Sequence, residues 1–391
     1  MANIDVNPRV LEWARKEARL SEADAAAALG ISTTDLAAYE RTKTITLGML
    51  REMSAAYQLP IATLAMPEPF PLSKLPRDFR TLEGREVKIT STTALAIKEA
   101  RRLQDDMQVL LAEEDDLAIR YQLRDVPRDT PVAAFADRER ARIGISAATQ
   151  LAWPHESVAF TNWRDRIESL GIFVYLLEMP LDDCRGFSLR ETPNPVIVIS
   201  KNEWTYAART FTLLHEYCHI RINQPGLSDL GRNSIEKYCN RFAAYALMPE
   251  GAMHQVLALP PTRTVLNWSL PEIRTASRKL HVSQQALALR LEHAGYARKG
   301  FFDYVRSQHV NERRPERKKK EQQKGGVPPY VIKLSELGAR YSGTVLKAHE
   351  RGSVSDVEAY RMLDLAPKHF EKLRERIGGR LAPDGTAASI F

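Results

Sequence analysis

Residues 210–219 read Thr-Phe-Thr-Leu-Leu-His-Glu-Tyr-Cys-His, and residues 236–243 read Glu-Lys-Tyr-Cys-Asn-Arg-Phe-Ala. The first stretch contains His215-Glu216-Tyr217-Cys218-His219, an H-E-x-x-H pattern. On a helix, positions four apart share a face, so both imidazoles can meet one metal ion. Glu216 lies about 100° around the helix from His215, where its carboxylate can polarise a bound water. Zinc suits such a set, because three protein ligands leave a fourth position for water. The apolar run Phe211–Leu214 makes the helix fit for burial. The bland alternative is a buried helix that happens to carry two His and a Glu.

The second stretch bears on that choice. Glu236 follows His219 by seventeen positions, inside a helical run from Glu236 to Met248. It can complete a His215, His219, Glu236 ligand set, with a solvated helix residue as its alternative. Asn240 lies one turn further on the same face, where a carboxamide can hold a ligand histidine in the required tautomer.

Outward from there, helical spacing predicts helices over 205–222 and 234–248. The region from Phe160 to Ser200 reads as strands, with short β-prone runs at Phe173–Leu177 and Val196–Ile199 bounded by Gly171, Pro193 and Pro195. A long helix is expected from about Ser91 to Arg124. Residues 1–65 read as a compact helical unit, with Ser21 as an N-cap, a turn at Gly30-Ile31-Ser32, and a helix from about Thr33 to Arg41. Prolines 60, 67, 69, 71 and 76 mark a connector. Residues 330–378 form a last helical unit, and no fixed-period repeat is visible. Trp153, Trp163, Trp204 and Trp268 are expected in the core. His155, His254, His281 and His293 lack ligand spacing and read as surface or capping residues.

The 391 residues are 44% apolar and 27% charged, an ordinary globular composition whose length suits two or three domains. No apolar run approaches the ~20 residues of a membrane helix, which argues against a spanning protein. The first residues do not read as a secretory signal. Three cysteines, Cys184, Cys218 and Cys239, cannot build a disulfide framework and suit a reducing cytoplasm. The net charge of +7 is concentrated: Ala297–Lys324 holds ten Lys/Arg against four acids, whereas the first 60 residues hold seven against eight. The segment around Arg313–Pro329 reads as a linker, solvated or binding nucleic acid without sequence preference.

Thr210–His219, Glu236-x-x-x-Asn240-x-Phe242-Ala243 and Leu247-Met248-Pro249 together resemble the ImmA/IrrE metallopeptidases. Gly186-Phe187-Ser188 and Ile197-Val198-Ile199 match the short strands expected before the motif helix, and Leu280–Leu291 resembles the family's closing helix pair. The resemblance covers roughly residues 155–300. It implies an α+β, mainly helical, gluzincin-like core with a small β-sheet. It also implies His215, His219 and Glu236 as Zn²⁺ ligands and Glu216 as general base. Cys218 stands where the family usually has Gly, and Cys239 where it usually has Ala. Both read as small packing residues; the alternative is a thiol that reaches the zinc or responds to redox state.

The first 65 residues resemble an Xre, lambda-repressor-like helix-turn-helix domain, expected to be all-α. That resemblance places Thr33, Thr34, Asp35 and Ala38 toward DNA, with Arg41 and Lys43 as phosphate clamps. The sequence departs from the pattern: Glu22 replaces a common Gln, and Thr42 and Ile45 replace Gly and Pro. The surface is poor in donors, so a protein-binding or dimerisation module stays open beside duplex DNA.

The expected organisation is therefore helix-turn-helix at 1–65, connector and long helix at 66–154, metallopeptidase domain at 155–300, basic linker at 301–329, and a helical extension at 330–391. The implied function is a regulatory zinc metalloendopeptidase. Its substrate would be a protein, a co-encoded transcription repressor or a toxin-antitoxin component. The alternative is a DNA-binding regulator or antitoxin-like component whose zincin domain is mainly a scaffold.

Overall fold

A computed structural model describes residues 3–18, 20–57, 59, 61–69, 90–113, 121–190, 192–224, 226–227, 234–260, 262, 264–310 and 327–378. Most of the proline connector, including Pro60, Pro71 and Pro76, and residues 311–326 of the basic segment lie outside these. The chain divides into two compact units, Met1–Glu99 and Ala100–Phe391.

In the first unit, α1 (Pro8–Glu17), α2 (Glu22–Leu29), α3 (Thr33–Tyr39), α4 (Leu47–Tyr57) and α5 (Ile61–Leu64) enclose Leu11, Ala14, Ala25, Leu36, Leu50 and Met53. Ser21 caps α2 by accepting from Asp24 N, and Gly30 ends it in the left-handed region at φ 66°. Ser32 and Asp35 form a capping box at the start of α3. That helix stops at Tyr39 rather than Arg41. The unit is not all-α: β1 (Asn3–Asp5) pairs antiparallel with β2 (Thr44–Thr46), Ile4 opposite Ile45. β-branched Thr44, Ile45 and Thr46 suit a strand, and Ile45 is buried.

Helix α6 runs from Ser91 to Glu113, short of the expected Arg124. Tyr121–Arg124 is not helical, because its backbone is committed elsewhere: the Arg124 carbonyl accepts from Arg221 Nη1 (2.6 Å) and Val126 N donates to the Arg221 carbonyl (2.8 Å). Helix-favouring composition yields here to tertiary partners.

The second unit continues with α7 (Val132–Ile143), α8 (Ala147–Leu151) and α9 (Glu156–Glu168). Helix α9 stands where strand was expected from Phe160, because Phe160, Trp163 and Ile167 recur at helical spacing and bury one face. Next come β3 (Phe173–Leu177), β4 (Gly186–Leu189), β5 (Val196–Ser200), α10 (Tyr206–Arg221), β6 (Gly226–Leu227) and α11 (Ser234–Leu247). The strand order is β3-β5-β4-β6, with β3 parallel to β5 and β4 antiparallel to β5 and β6. Every residue of β5 is buried, as expected of a central strand covered on both faces. Helix α10 packs on β4 and β5 and lies against α9 and α11. The architecture is mainly helical α+β.

Helices α12 (Glu250–Leu257), α13 (Leu270–Leu280), α14 (Gln284–Ala294) and α15 (Phe301–Val310) follow. Residues 301–310, expected within the basic linker, are helical. Phe301 and Val305 join the core, and Glu292 accepts from Gly300 N and Phe302 N to cap the helix. Two apolar positions at helical spacing outweigh the surrounding charge. Trp163 is buried and Trp153 and Trp268 pack against the core, but Trp204 is 60% exposed, just outside the N-terminus of α10. The extension consists of α16 (Pro329–Glu350), α17 (Asp356–Leu363) and α18 (Pro367–Gly378).

A buried ionic cluster ties α10 to α7. Glu139 accepts from Tyr217 Oη (2.6 Å), Arg221 Nε (3.0 Å) and Arg221 Nη2 (3.2 Å), and all three residues are buried. Burial pushes the Glu139 carboxyl up, but the Arg221 and Tyr217 hydrogen bonds outweigh it and hold it below its usual range. Its stabilisation is therefore present above the ordinary carboxylate pKa and lost as pH falls through the depressed value. Glu139→Gln leaves the Arg221 guanidinium buried without its counter-charge. We expect a loss of about 3–5 kcal/mol in denaturant unfolding at neutral pH, and a smaller loss in acid. An unchanged denaturation midpoint would contradict this role.

Candidate metal centre

Helix α10 is capped by Thr205, whose side chain accepts from Ala208 N. Its final three turns are buried on nearly every face, which accounts for the apolar run before His215. α11 crosses it and brings Glu236 and Asn240 to the motif. His215 Nε2 lies 3.1 Å from Glu236 Oε2, His219 Nε2 3.2 Å from Glu236 Oε1, and the two Nε2 atoms are 3.0 Å apart. Among the described residues, His215, His219 and Glu236 are the set that can hold a metal ion.

The outer nitrogens explain why these donors converge. His219 Nδ1 is 2.7 Å from the Gln224 carbonyl, which can only accept, so this nitrogen carries a proton. His215 Nδ1 is 3.0 Å from Asn240 Oδ1, the partner expected from the sequence. With Nδ1–H committed outward, a neutral ring can turn only an Nε2 lone pair toward the Glu236 carboxylate. Three buried donors with no hydrogen among them repel, and only a cation or a proton relieves that repulsion. Their spacing of 3.0–3.2 Å is close to the ~3.3 Å between ligands on a tetrahedron with bonds of about 2.0–2.1 Å. The donor set fits a metal.

The same convergence also favours positive charge on His219. Burial opposes protonation of His219, yet hydrogen bonds to Cys239 and Glu236 outweigh it and raise its pKa well above the ordinary value. Burial likewise opposes ionisation of Glu236, but hydrogen bonds from His215 and His219 hold its carboxyl at about 2.

Glu216 is fully buried and faces β4. A Cβ on Gly186 would lie 2.6 Å from Thr212 Cγ2, 2.8 Å from the Val198 carbonyl and 3.3 Å from Glu216 Cγ. Glycine is thus required where β4 passes beside the motif helix. Cys218 and Cys239 are free, fully buried and part of the apolar core. Burial, then a hydrogen bond with Cys218, raises the Cys239 thiol well above its usual pKa. The remaining histidines stand apart: His281 ends α13 in the left-handed region, and His254 Nδ1 meets the Leu259 carbonyl.

In the first unit, Thr33, Thr34, Arg41 and Lys43 are all exposed. Asp35 is also exposed, but its carboxylate is bound to Ser32 N and Oγ. Two parts of the metal centre escaped sequence reading. Gln224 contributes a main-chain carbonyl, which no side-chain pattern can reveal, and Glu139 is a lone acid on an ordinary amphipathic helix.

Metal analysis of the purified protein should find about one divalent ion per chain, lost in His219→Ala. Asn240→Ala should keep the ion with about 10–100-fold weaker affinity. Because the ligands must shed protons, affinity should rise with pH, and calorimetry in two buffers should register proton release. Equal metal content in wild type and His219→Ala would rule out this ligand set.

Residues 167–292 match the family model described as the IrrE N-terminal-like domain, and residues 11–64 match that described as helix-turn-helix. No curated protein matches the chain. The first match spans β3, β4, β5, α10 and α11, hence the whole donor set, and the second spans α2, the Gly30 turn and α3. The chain therefore carries a peptidase-family domain of the ImmA/IrrE type behind an Xre-like helix-turn-helix domain.

Proposed function

We infer that this protein is a regulatory zinc-dependent metalloendopeptidase that cleaves a partner transcription repressor or antitoxin. One observation carries the reading above all: two buried histidines with committed Nδ1 groups and a buried glutamate converge their donors, with Glu216 beside them under Gly186. His215, His219 and Glu236 are the proposed ligands, and Asn240 fixes the His215 tautomer. A bound zinc would supply Lewis-acid polarisation of a water and of the scissile carbonyl. Glu216 acts as the base: its carboxylate takes the proton from the attacking water and later delivers it to the leaving amine.

No described helix is long and apolar enough to cross a membrane. We take the setting to be the cytoplasm, where three free thiols stay reduced. In this reading the helix-turn-helix brings the enzyme to duplex DNA, with Thr33 and Thr34 toward the bases and Arg41 and Lys43 on phosphate. That contact should be modest and strongly salt-dependent, given the acids in the unit.

Glu216→Gln separates peptidase from scaffold. The amide keeps the volume and can hydrogen bond the water, but it cannot take its proton. Zinc content and partner binding should persist while cleavage falls about 10²–10⁴-fold, or roughly 3–5 kcal/mol of barrier. Full activity of Glu216→Gln in cells, with His215→Ala inactive, would instead establish a regulator that uses the zincin domain as a scaffold.

A further inference from the structure

Helix α10 ends in a left-handed turn that brings the chain back to the metal centre. Ile222 is its C-cap; Asn223 N donates to the Ile220 carbonyl (3.2 Å) and Gln224 N to the His219 carbonyl (2.9 Å). These two bonds make a Schellman ending, with Asn223 in the left-handed region at φ 55°. Gln224 therefore holds His219 twice. Its N–H meets the main-chain carbonyl, and its own carbonyl meets Nδ1 at 2.7 Å. How firmly the turn is fixed decides how firmly the His219 ring is oriented.

Glycine is the usual residue at the left-handed position, because a Cβ is crowded there. Asn223 accepts that cost and supplies a side chain that glycine lacks. Its Nδ2 donates to Asp125 Oδ2 (2.9 Å). Asp125 Oδ1 pairs with Arg190 Nη2 (2.5 Å), and Arg190 Nη1 donates to the Ile220 carbonyl (3.1 Å). That is the same carbonyl that Asn223 N meets. The contacts close a ring from Ile220 through Asn223, Asp125 and Arg190 back to Ile220. Arg190 is further held over the Tyr121 ring, 5.4 Å from its centroid.

The members of the ring come from separate parts of the unit. Asp125 adjoins Val126, whose N–H donates to the Arg221 carbonyl (2.8 Å), and Arg190 directly follows β4. Asp125 and Asn223 are exposed, so neither adds to the apolar core. An exposed ion pair contributes little to stability, and a left-handed asparagine costs more than a glycine would. Stability alone is a poor account of the ring. What it does restrict is the turn that carries the Gln224 carbonyl, and with it the orientation and tautomer of His219.

We propose that Asp125 is a positioning residue for His219: through Asn223 and Arg190 it fixes the turn whose Gln224 carbonyl orients the imidazole, and so raises metal affinity without touching the metal. This rests on the reading of His215, His219 and Glu236 as ligands. It gives residues 121–126, which come before the motif helix by some ninety positions, a part in the metal centre.

The test uses the full chain and measures zinc affinity by competition with a chromogenic chelator, with the thermal midpoint of the metal-free protein beside it. Asn223→Gly removes the tether yet suits the left-handed turn, so the midpoint should stay near that of the wild type. Zinc affinity should nonetheless fall about 3–10-fold, less than the 10–100-fold of a direct histidine partner. Asp125→Ala should weaken zinc by a similar factor, and the double variant by no more, because both changes break one ring. Asp125→Ala with Asn240→Ala should instead multiply, since the two act on different histidines. Wild-type affinity in both Asn223→Gly and Asp125→Ala would overturn the proposal, as would full multiplication of their two effects. Affinity loss that comes only with a lowered midpoint would make the ring a stability device and overturn it too. Zinc content unchanged in His219→Ala is a separate failure, that of the ligand set, and would take this proposal with it.

Discussion

Two main-chain and side-chain acceptors outside the metal centre govern what happens inside it. The Gln224 carbonyl and Asn240 Oδ1 each face the Nδ1 of one motif histidine. Once those protons are committed outward, each neutral ring has only a lone pair to turn toward Glu236. In a buried setting that arrangement costs free energy, and a cation at the common focus offsets it. The fold keeps the donors together, because α10 and α11 pack against each other through the apolar core.

Those contacts start behind the motif. Leu213, Leu214, Tyr217 and Cys218 face the apolar core with Cys239, Phe242 and Ala243 of α11. The Glu139–Tyr217–Arg221 cluster then sets the far end of α10, and the Arg124 and Val126 backbone partners draw residues 121–126 along it. On the opposite side β4 runs close enough that only glycine fits at position 186. The three candidate donors thus sit on a packed helix pair, which is how a site gains precision over one built on loops. The two cysteines complete the packing on the helix side and lie next to His219.

Much of this was legible without coordinates. The helix that carries H-E-x-x-H, the second helix with Glu236 and Asn240, and the strand runs read at 173–177 and 196–199 all stand where hydrophobic period placed them. These are local signals: period 3.6 or 2, a cap, or two side chains on one helix face. The readings that differ involve competition between local composition and distant partners. Residues 121–124 have helix-forming composition but are bound by Arg221. Residues 301–310 read as part of a charged linker, yet Phe301 and Val305 are drawn into the core. Trp204 was expected inside and lies exposed.

The sequence by itself determined that two helices present histidine, glutamate and asparagine at metal-binding spacing, since side-chain direction on a helix follows from 3.6 residues per turn. It also determined the turns, because Gly30 and the serine caps act within a few bonds of where they stand. Only the tertiary structure decided that Glu236 meets both histidines, that a main-chain carbonyl selects the His219 tautomer, and that a side chain at position 186 would crowd Glu216. Each of these joins residues on different elements. Packing sets such distances, and no periodicity along one chain encodes them.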